Sequence, residues 1–261
     1  MAAPFDPWAE YYDLLQKGIE GDVEFYVAQA LRARGRTLEI GCGTGRICIP
    51  MAMSGADVVG MDNSPVMLDR CRKKCEAVAP IPGRLELVKG DMRDFSLGER
   101  FAFIAMPYRT FMHLLTPGEQ RACLAAVHRH LEPDGVFILN TWAARPSTIA
   151  PWLDPRNGAL RLVDQYEDPD TGWAIHHYCA STYDEFTQIL REDHTIHELD
   201  ATGTVVHSTT MEMVRAWTTP REMELLVALA GFEVEAVLGD FAGALFSASS
   251  TEMIWVLTPT K

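Results

Sequence analysis

Thr37-Leu38-Glu39-Ile40-Gly41-Cys42-Gly43-Thr44-Gly45-Arg46 is the stretch whose reading organises the chain. Leu38 and Ile40 mark a buried strand, the alternating glycines a tight turn, and the apolar residues from Ile47 to Met53 a helix. Alternating glycines remove Cβ atoms where backbone must lie against a ligand or take a positive φ. A helix start behind such a turn offers unpaired N–H groups. Strand, glycine turn and helix in that order form a nucleotide-binding device.

The spacing then discriminates between nucleotides. A dinucleotide fingerprint requires glycine three positions beyond its second glycine, and Arg46 holds that position here. The pattern is instead E-x-G-x-G-x-G, starting at Glu39. Asp62 ends the next apolar run, Ala56 to Met61, where a carboxylate reaches both hydroxyls of a ribose.

Outward from this core, helix and strand alternate. Before it, Trp8, Tyr11, Tyr12, Leu14 and Leu15 predict a short helix, and Val23 to Leu31 a second one ended by Gly35. After it, Ser64-Pro65 reads as an N-cap and first helical residue of a helix reaching Val78. Leu85, Leu87 and Val88 predict a third strand ending at Gly90-Asp91-Met92, and Phe101 to Met106 a fourth. Thr116-Pro117-Gly118-Glu119 is a capping box opening a helix with Leu124, Val127 and Leu131 on its apolar face. Glu132-Pro133-Asp134-Gly135 predicts a turn into a fifth strand, Val136 to Thr141. From Trp142 to Trp217 the alternation stops. Extended runs at 159–165, 173–182, 186–199 and 204–217, separated by turns at Pro169-Asp170-Thr171-Gly172 and Asp200-Ala201-Thr202-Gly203, predict an inserted antiparallel sheet. Thr219-Pro220-Arg221-Glu222 is a second capping box, and the runs Phe232 to Ala236 and Met253 to Leu257 predict two closing strands.

The bulk numbers narrow the function. A net charge of -13 with no basic run disfavours nucleic acid and anionic membrane as partners. No apolar run is long enough to span a bilayer, and the N-terminus lacks a signal pattern, so a cytoplasmic protein is expected. Six cysteines without zinc-type spacing predict reduced thiols; Cys71 and Cys75 share one helix face. No metal is expected. His194 and His197, three apart on a strand, face opposite ways, as do the adjacent His176 and His177.

With Glu39, Gly41, Gly43, Gly45 and Asp62 in place, the chain resembles the class I S-adenosylmethionine (SAM) methyltransferases. The match covers 35–141, and 219–261 in outline. The resemblance implies an α/β fold: a Rossmann-like, seven-stranded, mostly parallel sheet whose last strand enters antiparallel. It divides the chain into an N-terminal helical lid (1–34), a SAM-binding part (35–141 and 219–261) and the antiparallel insertion (142–218) over the substrate site. SAM is the implied cofactor and S-adenosylhomocysteine the product. Tyr11, Glu39, Gly41, Cys42, Gly43, Gly45, Asp62, Asn63, Met67, Asp91, Met92 and Met106 are the implied cofactor contacts, Asp91 accepting the adenine amino group and Met92 packing on its face.

Tyr12-Asp13, the segment Gly90 to Leu97 and His113-Leu114 resemble the antibiotic-sugar N-methyltransferases in particular. That places Tyr12 and His113 beside a methyl-accepting amine, His113 being the general-base candidate because imidazole titrates near neutrality. The loop Pro107-Tyr108-Arg109 is bulkier and more charged than in those sugar enzymes. Tyr108, Arg109 and Trp142 are expected to bind substrate, Arg109 holding a substrate carboxylate or phosphate, or the methionine carboxylate of SAM. The expected activity is in-line methyl transfer to N or O of a small molecule, with self-association through the insertion a second use of that sheet. A NAD-dependent oxidoreductase and a non-catalytic SAM-binding protein are the competing readings, the first weakened by Arg46.

Overall fold

The computed structural model describes residues 3–143, 145–168 and 171–260; Met1-Ala2 and the Pro169-Asp170 half of one predicted turn lie outside them. A 3-10 turn (Asp6–Trp8) and one-turn helix α1 (Tyr12–Leu15) precede α2 (Asp22–Arg32), β1 (Thr37–Ile40), α3 (Cys48–Met53), β2 (Asp57–Asp62), α4 (Pro65–Ala77), β3 (Arg84–Lys89) and β4 (Phe101–Met106). A 3-10 turn (Thr110–His113), α5 (Pro117–His130), β5 (Leu131–Trp142) and α6 (Pro146–Ile149) follow. Strands β6 (Arg161–Glu167), β7 (Ala174–Asp184), β8 (Ile189–Leu199) and β9 (Val205–Ala216) come next, then α7 (Pro220–Leu229), β10 (Phe232–Leu238) and β11 (Glu252–Pro259).

Seven strands form one sheet in the order β10-β11-β5-β4-β1-β2-β3, and β6 to β9 form a second, separate sheet. In the first, β11 runs antiparallel to β5 and β10 while the other pairs are parallel. The chain steps outward from β1 to β3 and then crosses back to β4 beside β1. Two neighbouring strands therefore lead away in opposite directions, and a crevice opens above their carboxyl ends. Leu38 and Ile40 face a core built on α5 and α7; Glu39 faces the opposite core, with Tyr26 and Ala30 of α2. So α2 packs against the sheet, and within the predicted lid it is the segment before it that lies over the crevice.

Local chemistry explains the element starts. Ser64 Oγ accepts the Met67 N–H at 3.1 Å, and Thr116 and Thr219 both close full capping boxes. Four local expectations shift. Helix α3 begins at Cys48, because Gly43 and Gly45 sit at φ +53° and +91°, outside helical space. Helix α5 ends at His130, and Leu131 opens β5. The predicted turn 132–135 is absorbed as a bulge, since Phe101 pairs with Leu131 but Phe103 with Val136. Strand β8 begins at Ile189, because the Asp184 carboxylate accepts the Phe186 and Thr187 N–H groups and closes a turn. Among the described residues no helix is long and apolar enough to cross a membrane.

Arg46, the residue that breaks the dinucleotide spacing, clasps α2 to the glycine turn. Its guanidinium donates to both oxygens of the buried Asp22, at 2.8 and 2.7 Å, and stacks over Tyr108. Asp22→Asn leaves that cation without its charge partner, and an unfolding free energy lower by about 3 kcal/mol is expected in urea titration. A loss under 1 kcal/mol would remove Arg46 from this structural role.

Candidate active site

A cavity of about 380 Å³ opens where the glycine turn and the ends of β1 and β2 meet the loop after β4, the N-terminal segment and β9. That size suits a drug-sized ligand, for which about 300 Å³ is the lower bound.

The glycine turn forms its floor. Gly41 has φ +74°, and a Cβ there would lie 2.5 Å from Thr110 Cγ2. The missing side chain lets the loop after β4 close on the turn. The Gly41 and Cys42 N–H groups both donate to the Met61 carbonyl, at 2.8 and 3.0 Å, so they hold the turn to β2 rather than face a ligand. The Gly43 N–H donates to Asp62 Oδ2 at 2.9 Å and the Ser64 N–H to Oδ1 at 2.8 Å. Burial raises the Asp62 carboxyl above the ordinary range, while these backbone donors favour its charged form. Each oxygen keeps lone-pair capacity for a hydroxyl donor.

Of the expected cofactor residues, Gly41, Gly43, Asp62, Asn63, Met67, Asp91 and Met92 line the cavity. Arg93 already engages both Asp91 oxygens, at 2.6 to 3.1 Å, and holds that carboxyl below its usual range, so an adenine amino group would share the acceptor with it. Five residues do not line it. Gly45 faces α4, where a Cβ would meet Cys71 Sγ at 2.6 Å, and Cys42 and Met106 are buried beneath. Tyr11 turns the other way from Tyr12 and donates its hydroxyl to Glu198 Oε1 on β8 at 2.6 Å, pinning the N-terminal segment to the insertion. Glu39 lies under the turn, 2% exposed, with Oε2 lacking any partner. Burial pushes its carboxyl up to about 8.

Tyr12, Tyr108, Arg109, His113 and Arg215 also line the cavity. Tyr12 lines the cavity, and burial keeps its phenol protonated by raising it well above the usual tyrosine range. Tyr108, at φ +54°, donates its hydroxyl to Gln16 Oε1 at 3.0 Å. The Arg109 guanidinium is paired within the protein. Glu252 accepts its Nε at 3.1 Å and one terminal nitrogen closer still, and the guanidinium lies 4.5 Å from the Trp142 ring centre. Trp142 does not reach the cavity; it stacks on Trp217 at 5.3 Å and carries Arg215 on its face at 4.1 Å. The His113 Nδ1 faces the Val214 carbonyl at 3.2 Å. A carbonyl only accepts, so Nδ1 carries the hydrogen and Nε2 the lone pair. Burial, with Arg215 nearby, pushes this imidazole down to about 4, so it is neutral at physiological pH.

Phe5, Gln16, Thr110, Met213 and Arg215 also line the cavity and were not singled out from sequence. Thr110 directly follows the loop Pro107-Tyr108-Arg109. The alternation along β9 marked a strand, but nothing local told which face would meet the cavity.

The comparisons with known proteins agree with this geometry. The methyltransferase domain model matches residues 37–135. The chain is 29% identical over 251 residues to a cypemycin N-terminal methyltransferase from Streptomyces sp, spanning 95% of this chain and 94% of that one. It is 32% identical over 144 residues to a dTDP-3-amino-3,4,6-trideoxy-alpha-D-glucopyranose N,N-dimethyltransferase from Streptomyces venezuelae, spanning 51% of this chain and only 56% of the relative. Among solved structures, the CcbJ methyltransferase from Streptomyces caelestis superposes with a TM-score of 0.79 at 27% identity, covering 100% of this chain and 99% of that one.

Two outcomes follow from the floor of the cavity. Asp62→Ala removes a charged acceptor for the ribose and should weaken SAM binding by calorimetry on the order of 30-fold, an interaction of about 2 kcal/mol. Unchanged affinity would move the ribose elsewhere. For Glu39 the folded carboxyl titrates near 8 while the unfolded one titrates in the ordinary range. Between those values the folded state holds more protons, so stability falls as pH rises, by up to about 1.4 kcal/mol per unit. Glu39→Gln should flatten that slope in urea titrations from pH 5 to 8; an unchanged slope would assign it to another group.

Proposed function

We propose that this class I SAM-dependent methyltransferase places its methyl group on the nitrogen of an amine, carried by a small molecule or by a peptide N-terminus. The observation that carries the reading is the neutral His113 imidazole, whose Nε2 lone pair belongs to a ring lining the cavity. A weak base of this kind accepts a hydrogen bond from an N–H and steadies the amine's own lone pair. A neutral amine attacks through that lone pair without first losing a proton, whereas a hydroxyl must give up its proton as it attacks, which a base this weak assists poorly. Tyr12, also protonated, supplies no stronger base.

The residues present fit the cofactor. The turn lies close against the loop, and Asp62 is held with acceptor capacity to spare. When bound, SAM supplies a sulfonium-activated methyl group. Asp62 would orient the ribose; Gly41 and Gly43 would let backbone lie against the ligand; Met67 and Met92 would pack on apolar surface. Phe5, Tyr12 and Leu114 exclude water from the acceptor side, so alignment and desolvation of the nucleophile do most of the work. Free thiols and acidic charge suit a reducing cytoplasm.

The relatives that match over 95% and 51% of the chain carry N-terminal and N,N-dimethyl transfer in their descriptions, which supports nitrogen over oxygen. The test is methyl transfer from labelled SAM to paired acceptors, amines of sugars and peptides against their hydroxyl counterparts. N-methyl product with the amines alone is expected, and O-methyl product from the hydroxyl set would overturn the reading. His113→Ala should lower kcat on the order of 100-fold while leaving SAM affinity within about twofold.

A further inference from the structure

The inner face of the insertion carries a cluster that the chemistry above does not use. In register, Cys179 of β7 sits opposite His194 of β8, and Ser181 opposite Glu192 one row along. Alternation puts all four on one face, the face that packs against Trp8, whose ring lies 4.7 Å from that of His194. Ligand atoms of Cys179, Glu192 and His194 lie within 4.8 Å of one another, and each residue is nine-tenths or more buried. None of the three lines the methyltransferase cavity.

The geometry points to a site for a borderline-soft divalent cation of the zinc class, held by Cys179 Sγ, His194 Nε2 and a carboxylate oxygen of Glu192. His194 Nδ1 is engaged by His177 Nε2 at 2.8 Å, which fixes the ring and leaves Nε2 for the ion. That Nε2 is buried without any hydrogen-bond partner, a cost that an ion would relieve. Arg215 holds Glu192 Oε2, so Oε1 is the oxygen left to bind. One thiolate, one imidazole and one carboxylate form a donor set suited to zinc or cobalt and poorly suited to calcium or magnesium, which prefer all-oxygen shells. Binding exchanges the Cys179 thiol proton, released to solvent, for a sulfur–metal bond. Three protein ligands leave a fourth position for water. The ion would clip β7 to β8 and fix Glu192, and through it Arg215 on the cavity wall.

The buried thiols beside the glycine turn are the competing sulfur source. Cys48 and Cys71 lie 3.9 Å apart there, with Cys75 beside them. Metal-free protein, prepared with a chelator, is titrated with Co²⁺ and its absorption followed. One equivalent should bring a thiolate charge-transfer band and the strong visible bands of four-coordinate Co²⁺, displaced by Zn²⁺. Cys179→Ser should abolish the charge-transfer band, Cys75→Ser should leave it, and His177→Gln should weaken Co²⁺ affinity about tenfold or more. No band in the parent protein, or a band that survives Cys179→Ser, overturns the site. Where Cys179→Ser fails to fold by circular dichroism, His194→Gln is read instead, and unchanged Co²⁺ affinity in that variant overturns it equally.

Discussion

One carboxylate holds the cofactor half together. Asp62 ends β2, and its two oxygens take the Gly43 and Ser64 N–H groups. The first bond keeps the glycine turn in its left-handed conformation over the end of β1. The second fixes Ser64, whose hydroxyl caps α4 and donates to Asp6 at 2.6 Å. A turn, a helix start and the N-terminal segment are thus referenced to one side chain on a rigid strand. A site built on strand ends is held more closely than one built on loops, and the loop at Thr110 comes close because Gly41 has no Cβ.

The cavity wall spends its cations on itself. Arg46 pairs with Asp22, Arg109 with Glu252 and Arg215 with Glu192, each cation held by a buried carboxylate. Such pairs contribute less to stability than to geometry, since desolvation offsets much of the Coulomb attraction. They fix where Tyr108, Trp142 and β9 stand. They also leave those guanidinium groups already balanced. An anionic acceptor would have to displace a buried carboxylate to gain a cation, whereas a neutral amine needs only hydrogen-bond partners. Arg109, the residue expected to hold a substrate anion, is one of these paired cations.

What could be read from sequence was what local chemistry decides. The strand, the alternating glycines, Asp62 and the three caps at Ser64, Thr116 and Thr219 are each set within a few residues, and each stands where its pattern put it. The order of elements carried the sheet as well. Facing was the part that did not show. Tyr11 and Tyr12 are adjacent and equally aromatic, yet one bonds the insertion and the other lines the cavity, a choice made by β8 almost two hundred residues away. Trp142 lost its expected place to a stack with Trp217, and His177 met His194 across strands, a pairing that spacing along either strand hides.

This division follows the architecture. The residues matched by the methyltransferase domain model, 37–135, supply the floor of the cavity. Much of its acceptor side comes from outside that range, from Phe5 and Tyr12 at one end of the chain and Met213 to Arg215 far along it. Those two stretches are mutually dependent: Trp8, Tyr11, Met211 and Met213 share one apolar cluster, and the Trp8 indole donates to the Glu212 carbonyl at 3.3 Å. Neither stretch has a core of its own, so each is shaped by the other while the sheet beneath stays fixed. The floor is set by backbone geometry and this wall by side-chain packing between distant parts of the chain.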